Sequence, residues 1–244
     1  MNLYIYEEIT STNDLGFQST FKDGDILWAE SQTAGRGQRG NKWIDGYGQN
    51  ATFSVVLEPS FLSAQEQFSI SQATALALYD TLAEFGIESR IKWTNDIYVG
   101  DRKIAGVLIE NRLQGDSIAR SVVGIGLNIN QVTFDESLPN PTSMALVADS
   151  RFSREDVVRR VHRNLAKRIS MVEQKQDIAA DYHSLLYRVG EEHDYLITAC
   201  GSVKRATIIG VEDKGALILQ YIDGEQLSYQ FREVEFIIAG RDKK

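Results

Sequence analysis

The sequence predicts an α+β fold: a mixed β-sheet packed with helices on one side, followed by a small all-β tail. Three observations carry this. Strand-like apolar runs are interleaved with one long stretch of helical period between Ser63 and Phe85. Three strand-like runs follow that helix closely, at 90–99, 103–111 and 119–130. From about Gly190 the chain turns to short β-rich runs separated by turn residues, which divides it into 1–189 and 190–244.

The first run, LYIYEEI at 3–9, ends in Thr10-Ser11-Thr12-Asn13-Asp14, residues that cap helices by accepting from orphan backbone N–H groups, so a helix starts near Ser11. Asp23-Gly24 turns the chain into an alternating strand at 25–31. Residues 32–43 have neither helical nor strand period. ATFSVVLEP at 51–59 is strand-like, and the helix over 63–85 carries apolar residues at 68, 73, 76, 79, 82 and 83. Gly100-Asp101-Arg102 makes a hairpin of 90–99 with 103–111. Helices are predicted at 153–172, opened by Ser153 through Asp156 in capping-box fashion, and at 177–189. In the tail, RATIIGV, ALILQYI and QLSYQF alternate with Gly201-Ser202, Asp213-Lys214-Gly215 and Asp223-Gly224, a pattern for a barrel of about fifty residues that leans on the larger unit.

Composition bounds the chemistry. A chain of 244 residues with 43% hydrophobic and 25% charged residues has ordinary globular proportions and needs no disulfide or structural metal. No apolar run is long enough to span a bilayer and the N-terminus lacks a basic segment followed by an apolar block, so a cytoplasmic protein without a membrane role is expected. The formal charge of −8 argues against a nucleic-acid coat, since such binding needs basic surface. One cysteine and three scattered histidines assemble no Cys/His metal cluster, and Cys200, in LITACGSV, reads as a small buried apolar residue.

Four segments can carry chemistry. Gly35-Arg36-Gly37-Gln38-Arg39-Gly40 combines backbone freedom with guanidinium charge and suits a phosphate. It lacks the Walker A and dinucleotide patterns, and a flexible surface loop or an RG-type nucleic-acid contact using Arg36, Arg39, Lys42 and Trp43 explains it equally well. In Lys92-Trp93-Thr94-Asn95-Asp96, alternation puts Lys92, Thr94 and Asp96 on one face and Trp93 and Asn95 on the other; the wet face of a sheet with a core tryptophan accounts for that too. Lys103 opens the returning strand, with Gly106 leaving room for close approach. Gly124 and Gly126 share one strand face, before Asn128, and make room for a flat ligand or for another backbone.

The order of these motifs resembles that of the bacterial biotin protein ligases: Ser11-Thr12-Asn13, Gln32 with the GRG-type loop and Trp43, KWTND at 92–96, DRKIAGVLIE at 101–110 and GIGLNIN at 124–130. The resemblance spans about residues 8 to 130; the tail is similar to the family's SH3-like barrel only in strand pattern and the KGALIL turn. It implies a catalytic domain like that of class II aminoacyl-tRNA synthetases, and an enzyme that uses ATP and Mg²⁺ to make biotinyl-5′-AMP. The biotinyl group then passes to a lysine of the biotin carboxyl carrier protein or domain of acetyl-CoA carboxylase or a related enzyme. By the resemblance Ser11, Thr12, Asn13 and Gln32 bind the ureido end of biotin. Gly35, Arg36, Gly37, Gln38 and Arg39 close over the adenylate, and Trp43 lies on the adenine side. Lys103 stands beside the carboxylate and α-phosphate, while Lys92, Asn95, Asp96, Gly106, Gly124, Gly126 and Asn128 line the nucleotide and metal region. Lys103, Arg36 and Asp96 are the implied catalytic residues, with Asp96 toward the metal and the attacking lysine. A lipoate or octanoyl transferase is the nearest alternative; the GRG-type loop followed by KWTND and DRKIAG favours biotin.

Two departures stand out: Thr94 replaces a frequent proline, and Gln38 replaces the second arginine of the loop. One guanidinium fewer predicts faster leakage of the intermediate, so Gln38→Arg should slow release of biotinyl-adenylate in a chase experiment; an unchanged off-rate would count against it. With Ser11 already in the first motif, no DNA-binding domain and no DNA partner are expected, and a homodimer is compatible with the resemblance.

Overall fold

The computed structural model describes residues 1–37, 43 and 46–238. Seven strands form the first sheet in the order β1-β2-β3-β7-β6-β5-β4. They are β1 (Leu3–Ile9), β2 (Ile26–Gln32), β3 (Ala51–Leu57), β4 (Arg90–Lys92), β5 (Asp96–Val99), β6 (Arg102–Gln114) and β7 (Ser117–Leu127). Only β1 and β2 pair in parallel, and the crossover between them contains helix α1 (Thr12–Gly16); the other pairs are antiparallel, giving the mixed sheet expected.

Both sheet faces are covered. On one, Phe53, Val55, Ile125 and Val107 join a core with Ile70, Ala73 and Leu76 of α2 (Phe68–Glu84) and Val157, Val161 and Leu165 of α4 (Arg154–Glu173). Alternation sends Leu27 and Val56 to the other face, where they pack with Phe21 and Leu15 of α1. The expectation of helices on one side therefore fails for α1. Five residues are too few to bury a broad apolar stripe, so this helix is anchored by polar contacts to the sheet instead.

Helix α2 lies between sheet and α4, and its last turn is tied by charge. Glu84 accepts from Arg163 at 2.7 Å, Asn164 at 3.0 Å and Arg160 at 3.1 Å. The hydrogen bond from Asn164, then that from Arg163, pulls its carboxyl down from 4.5 to about 2. A lowered folded-state pKa stabilises above 4.5, and that contribution is lost as pH falls toward 2. Urea unfolding should therefore show a stability gap between wild type and Glu84→Gln that is constant above 4.5 and closes toward pH 2; a pH-independent gap would mean packing alone is at stake.

The run predicted as one strand over 90–99 is two strands, β4 and β5, with Lys92 directly opposite Asp96 and Trp93-Thr94-Asn95 as the turn between them. Burial still alternates along 92–96, which is why the pattern reads as a strand. The helix expected over 177–189 stops early, as α5 (Ala179–Ser184). Ile91 N donates to Leu185 O and Tyr187 N to Ile91 O, both at 2.8 Å, so the following residues cover the β4 edge. A short helix α3 (Met144–Ala148) also forms, capped by Ser143.

The second sheet is antiparallel, in the order β11-β10-β9-β8-β12, with β8 (Glu192–Ile197), β9 (Ser202–Val211), β10 (Leu217–Tyr221), β11 (Gln226–Tyr229) and β12 (Val234–Phe236). β11 and β12 are its two edges and do not pair, so among the described residues the sheet is open where a closed barrel was expected. Its Tyr195, Ile208, Leu219 and Phe236 belong to the same core cluster as α2 and the first sheet, so the tail leans on the larger unit. Cys200 is exposed, contrary to expectation, because 198–201 is the turn between β8 and β9; its Sγ lies 2.8 Å from Ser202 Oγ. No helix among the described residues is long and apolar enough to cross a membrane.

Candidate active site

A cavity of about 270 Å³ opens on the α1 face of the first sheet. Its floor follows from cross-strand register: Thr52 pairs with Gly126, Ser54 with Gly124, and Gly106 with Gly126, while Asp96 pairs with Gly106. Partners in register point to one face, so three glycines leave a shallow, flat area beside two hydroxyls. The indole of Trp43 lies there: a Cβ on Gly126 would fall 2.2 Å from Trp43 Cε2, and one on Gly106 3.3 Å from Cζ3. Trp43 Nε1 is buried with no hydrogen-bond partner among the described residues.

One end of the cavity is a network of polar groups. Gln32 Oε1 accepts from Thr12 N at 2.7 Å. Ser54 Oγ donates to Asn13 Oδ1 at 2.6 Å and lies 2.7 Å from Thr12 Oγ1. Asn13 Nδ2 donates to Leu108 O at 3.2 Å and to Glu110 Oε2 at 2.8 Å. Ser11, Thr12 and Asn13 are all buried. Ser11 takes the N-cap position of α1, yet its hydroxyl makes no capping bond and stays available to the cavity.

The other end carries charge. Lys103 Nζ lies 2.7 Å from Asp96 Oδ1 and 5.9 Å from the Trp43 ring centroid. Its backbone is fixed on both sides, because Lys103 N donates to Asn140 O at 2.8 Å and Thr142 N to Lys103 O at 2.9 Å. Arg36 lines the mouth on the side of Asn13, paired with Asp14 at 2.7 Å and with the same Glu110 oxygen at 3.0 Å. The 93–95 turn closes the wall. Trp93 Nε1 donates to Gly215 O at 2.9 Å, Tyr182 Oη to Thr94 O at 2.8 Å, and Asn95 Nδ2 to Val107 O. Gly215 has φ +92°, and a Cβ there would meet Phe68 of α2 at 2.8 Å, so the turn before β10 packs closely on that helix. Phe231, from the same tail, also lines the cavity.

Among the residues singled out from sequence, Ser11, Thr12, Asn13, Gln32, Arg36, Gly37, Trp43, Lys92, Asn95, Asp96, Lys103, Gly106, Gly124 and Gly126 line this one cavity. Lys92 also places its ammonium 4.9 Å from the ring centroid of Phe236. Gly35 sits just behind, its O accepting from Trp43 N at 3.3 Å. Asn128 is outside the lining: its Nδ2 donates to Thr142 O at 2.9 Å and its O accepts from Met144 N, tying the end of β7 to α3. Gln38, Arg39 and Lys42 lie outside the described residues. Sequence reasoning did not single out Ser54, Thr52, Asp14, Glu110 or Phe231. Thr52 and Ser54 did carry a signal, as two polar residues at period two in an apolar strand.

Comparison with known proteins agrees with this geometry. Residues 5–128 match the Biotin/lipoate A/B protein ligase family. The chain is 27% identical to the bifunctional ligase/repressor BirA of Bacillus subtilis over 213 residues, 85% of this chain and 65% of that protein. It is 32% identical to the Escherichia coli BirA over 173 residues, 68% of this chain and 53% of that protein, so it spans about half to two thirds of these relatives. The biotin protein ligase of Aquifex aeolicus in complex with biotin and ATP superposes with a TM-score of 0.81 at 25% identity, covering 96% of this chain and 97% of that one. The chain belongs to the Biotin/lipoate A/B protein ligase family.

Proposed function

We propose that the chain is a biotin protein ligase that makes biotinyl-5′-AMP from biotin and ATP and passes the biotinyl group to a lysine of a biotin carboxyl carrier protein. The observation that carries this is the polarity of one cavity: fixed donors and acceptors at one end with Arg36 beside them, a glycine floor, and Lys103 at the other. A bicyclic ureide with a carboxylate tail matches that sequence of environments, its ring at Ser11, Thr12, Asn13 and Gln32. Further support comes from the Aquifex aeolicus biotin protein ligase, whose structure is a complex with biotin and ATP.

In the first step a carboxylate oxygen of biotin forms a bond to the α-phosphorus, and the bond to the bridging oxygen breaks, its electron pair leaving with pyrophosphate. Two anions approach each other, so Lys103 and Arg36 serve by cancelling repulsion and by meeting charge that develops on the phosphoryl oxygens. Among the described residues Asp96 is the only carboxylate lining the cavity, and no group of three metal-ligating side chains forms. One carboxylate suits Mg²⁺ that arrives with the nucleotide, because the phosphates complete its shell; the ion would then neutralise phosphate charge. In the second step a neutral lysine amine attacks the acyl carbon, an amide forms and AMP leaves. Asp96 is the group to hold that amine and take its proton once Lys103 has turned toward phosphate. We read residues 190–244 as the SH3-like unit, which buttresses the 93–95 turn through Gly215 and Phe231.

The test is incubation with biotin, MgATP and a carrier domain, followed by mass spectrometry for biotinylation of one carrier lysine. Absence of both carrier modification and adenylate would overturn the reading. Pyrophosphate exchange that depends on lipoate and ignores biotin would reassign the substrate within the family.

A further inference from the structure

One carboxylate oxygen holds both a side chain of the polar network and a cation of the cavity wall. Glu110 Oε2 accepts from Asn13 Nδ2 at 2.8 Å and from Arg36 Nη2 at 3.0 Å, and the same Arg36 nitrogen donates to Asp14 Oδ1 at 2.7 Å. Neither Asp14 nor Glu110 lines the cavity, whereas Arg36 does. The guanidinium is thus neutralised from behind by two carboxylates, one on α1 and one on β6. Its geometry is that of a cation held aside from the charge it would serve. The side chains of Arg36, Asp14 and Glu110 are 44%, 52% and 33% exposed, and pairs so exposed shift an equilibrium only a few-fold each. A polyphosphate, with several charges, can therefore take Arg36 from them.

We propose that Asp14 and Glu110 are positioning residues that latch Arg36 at the cavity wall and yield it to a polyphosphate, with Glu110 passing the exchange to Asn13 beside it. The inference rests on the adenylating reading for its ligand class. When Arg36 leaves, Glu110 keeps Asn13 Nδ2 as its partner, so the carboxamide that Ser54 and Leu108 also hold is tied more firmly. Withdrawal of Arg36 by nucleotide charge then reinforces the polar end, where the latch sits.

The experiment is calorimetric titration of the full chain with inorganic pyrophosphate at fixed ionic strength, a probe that needs no biotin chemistry. Asp14→Asn with Glu110→Gln should raise pyrophosphate affinity by about fivefold, the sum of two exposed pairs. Adding Arg36→Ala should abolish that gain. A gain that persists without Arg36 would be general removal of negative charge and would overturn the latch, as would unchanged affinity or no pyrophosphate binding by any form. Asp14→Asn alone, an exposed change, should give part of the gain and guards against a folding defect at Glu110. For the link to Asn13, Glu110→Gln keeps an acceptor and should leave the KM for biotin near wild type, whereas Glu110→Ala should raise it by roughly tenfold. Equal effects of the two would sever that link. Wild type that binds pyrophosphate without biotin-dependent exchange would refute the ligase reading while the Arg36 dependence still judges the latch.

Discussion

Lys103→Ala is expected to lower the rate of adenylate formation by about 10² to 10³, the loss seen when one preorganised group facing developing charge is removed. The magnitude rests on preorganisation. Lys103 sits on β6 with its N–H and C=O both bonded to the 140–142 segment, so its backbone is fixed, and its ammonium has a single carboxylate, Asp96 at 2.7 Å, to leave when the phosphoryl group arrives. Arg36→Ala should cost less, because its guanidinium is 44% exposed and has two carboxylates to leave first. Biotin-dependent ATP–pyrophosphate exchange measures both, and kcat should fall more than KM rises. Lys103→Arg should not restore the rate, since a planar guanidinium cannot take the place of a compact ammonium 3.0 Å from where a Gly106 Cβ would stand. Asp96→Asn should lower exchange, since Asp96 is also the carboxylate proposed for Mg²⁺, and lower transfer to the carrier lysine further, since an amide cannot take the amine's proton. An unaltered exchange rate in Lys103→Ala would remove Lys103 from the mechanism.

The outline of that site was legible because its residues come in short runs whose local chemistry is unusual. Gly124 and Gly126 at strand spacing, Lys103 at the head of a strand and a polar cluster after β1 each mark a face, and β1 has the bounds its apolar run predicts. Partnerships across the sheet were not legible. Nothing in the sequence places Ser54 against Asn13, or Glu110 against Arg36 from 74 residues away, because register between distant strands is set by the packed whole. The turn at 93–95 escaped for a related reason: its burial alternates as in a strand, and what breaks the strand is a set of tertiary bonds from Tyr182, Gly215 and Val107. Helix α5 ends early because Leu185 and Tyr187 are drawn to the β4 edge, a demand that helical periodicity does not register. The tail shows the same limit, since its strands were readable from turn residues and their open order was not.

Gly124→Ala should weaken biotin binding by about a hundredfold, and its contrast with Gly126→Ala tests how the floor is built. A methyl at 124 would stand 2.3 Å from Asn13 Oδ1 and 3.0 Å from Asn13 Cγ. That carboxamide cannot swing aside cheaply, being bonded to Ser54, Leu108 and Glu110 in a buried position. Helix α1 would have to lift, although it lies so close to β7 that a Cβ on Gly16 would already meet Val122 Cγ1 at 2.6 Å. Lifting it displaces Ser11 and Thr12 and strains the Thr12–Gln32 bond, so the whole polar end is misplaced and about 1–3 kcal/mol of stability is lost with it. At 126 the methyl meets the Trp43 ring at 2.2 Å, a group whose Nε1 has no hydrogen bond among the described residues to hold it. The ring can move, so Gly126→Ala should unfold in urea near wild type while still binding ligand poorly, because the floor itself is raised. Wild-type affinity in Gly124→Ala would show that α1 yields freely and that the polar end is not rigid. A stability loss in Gly126→Ala equal to that at 124 would make Trp43 a fixed part of the core, and the flat floor would then not be available to a ligand at all.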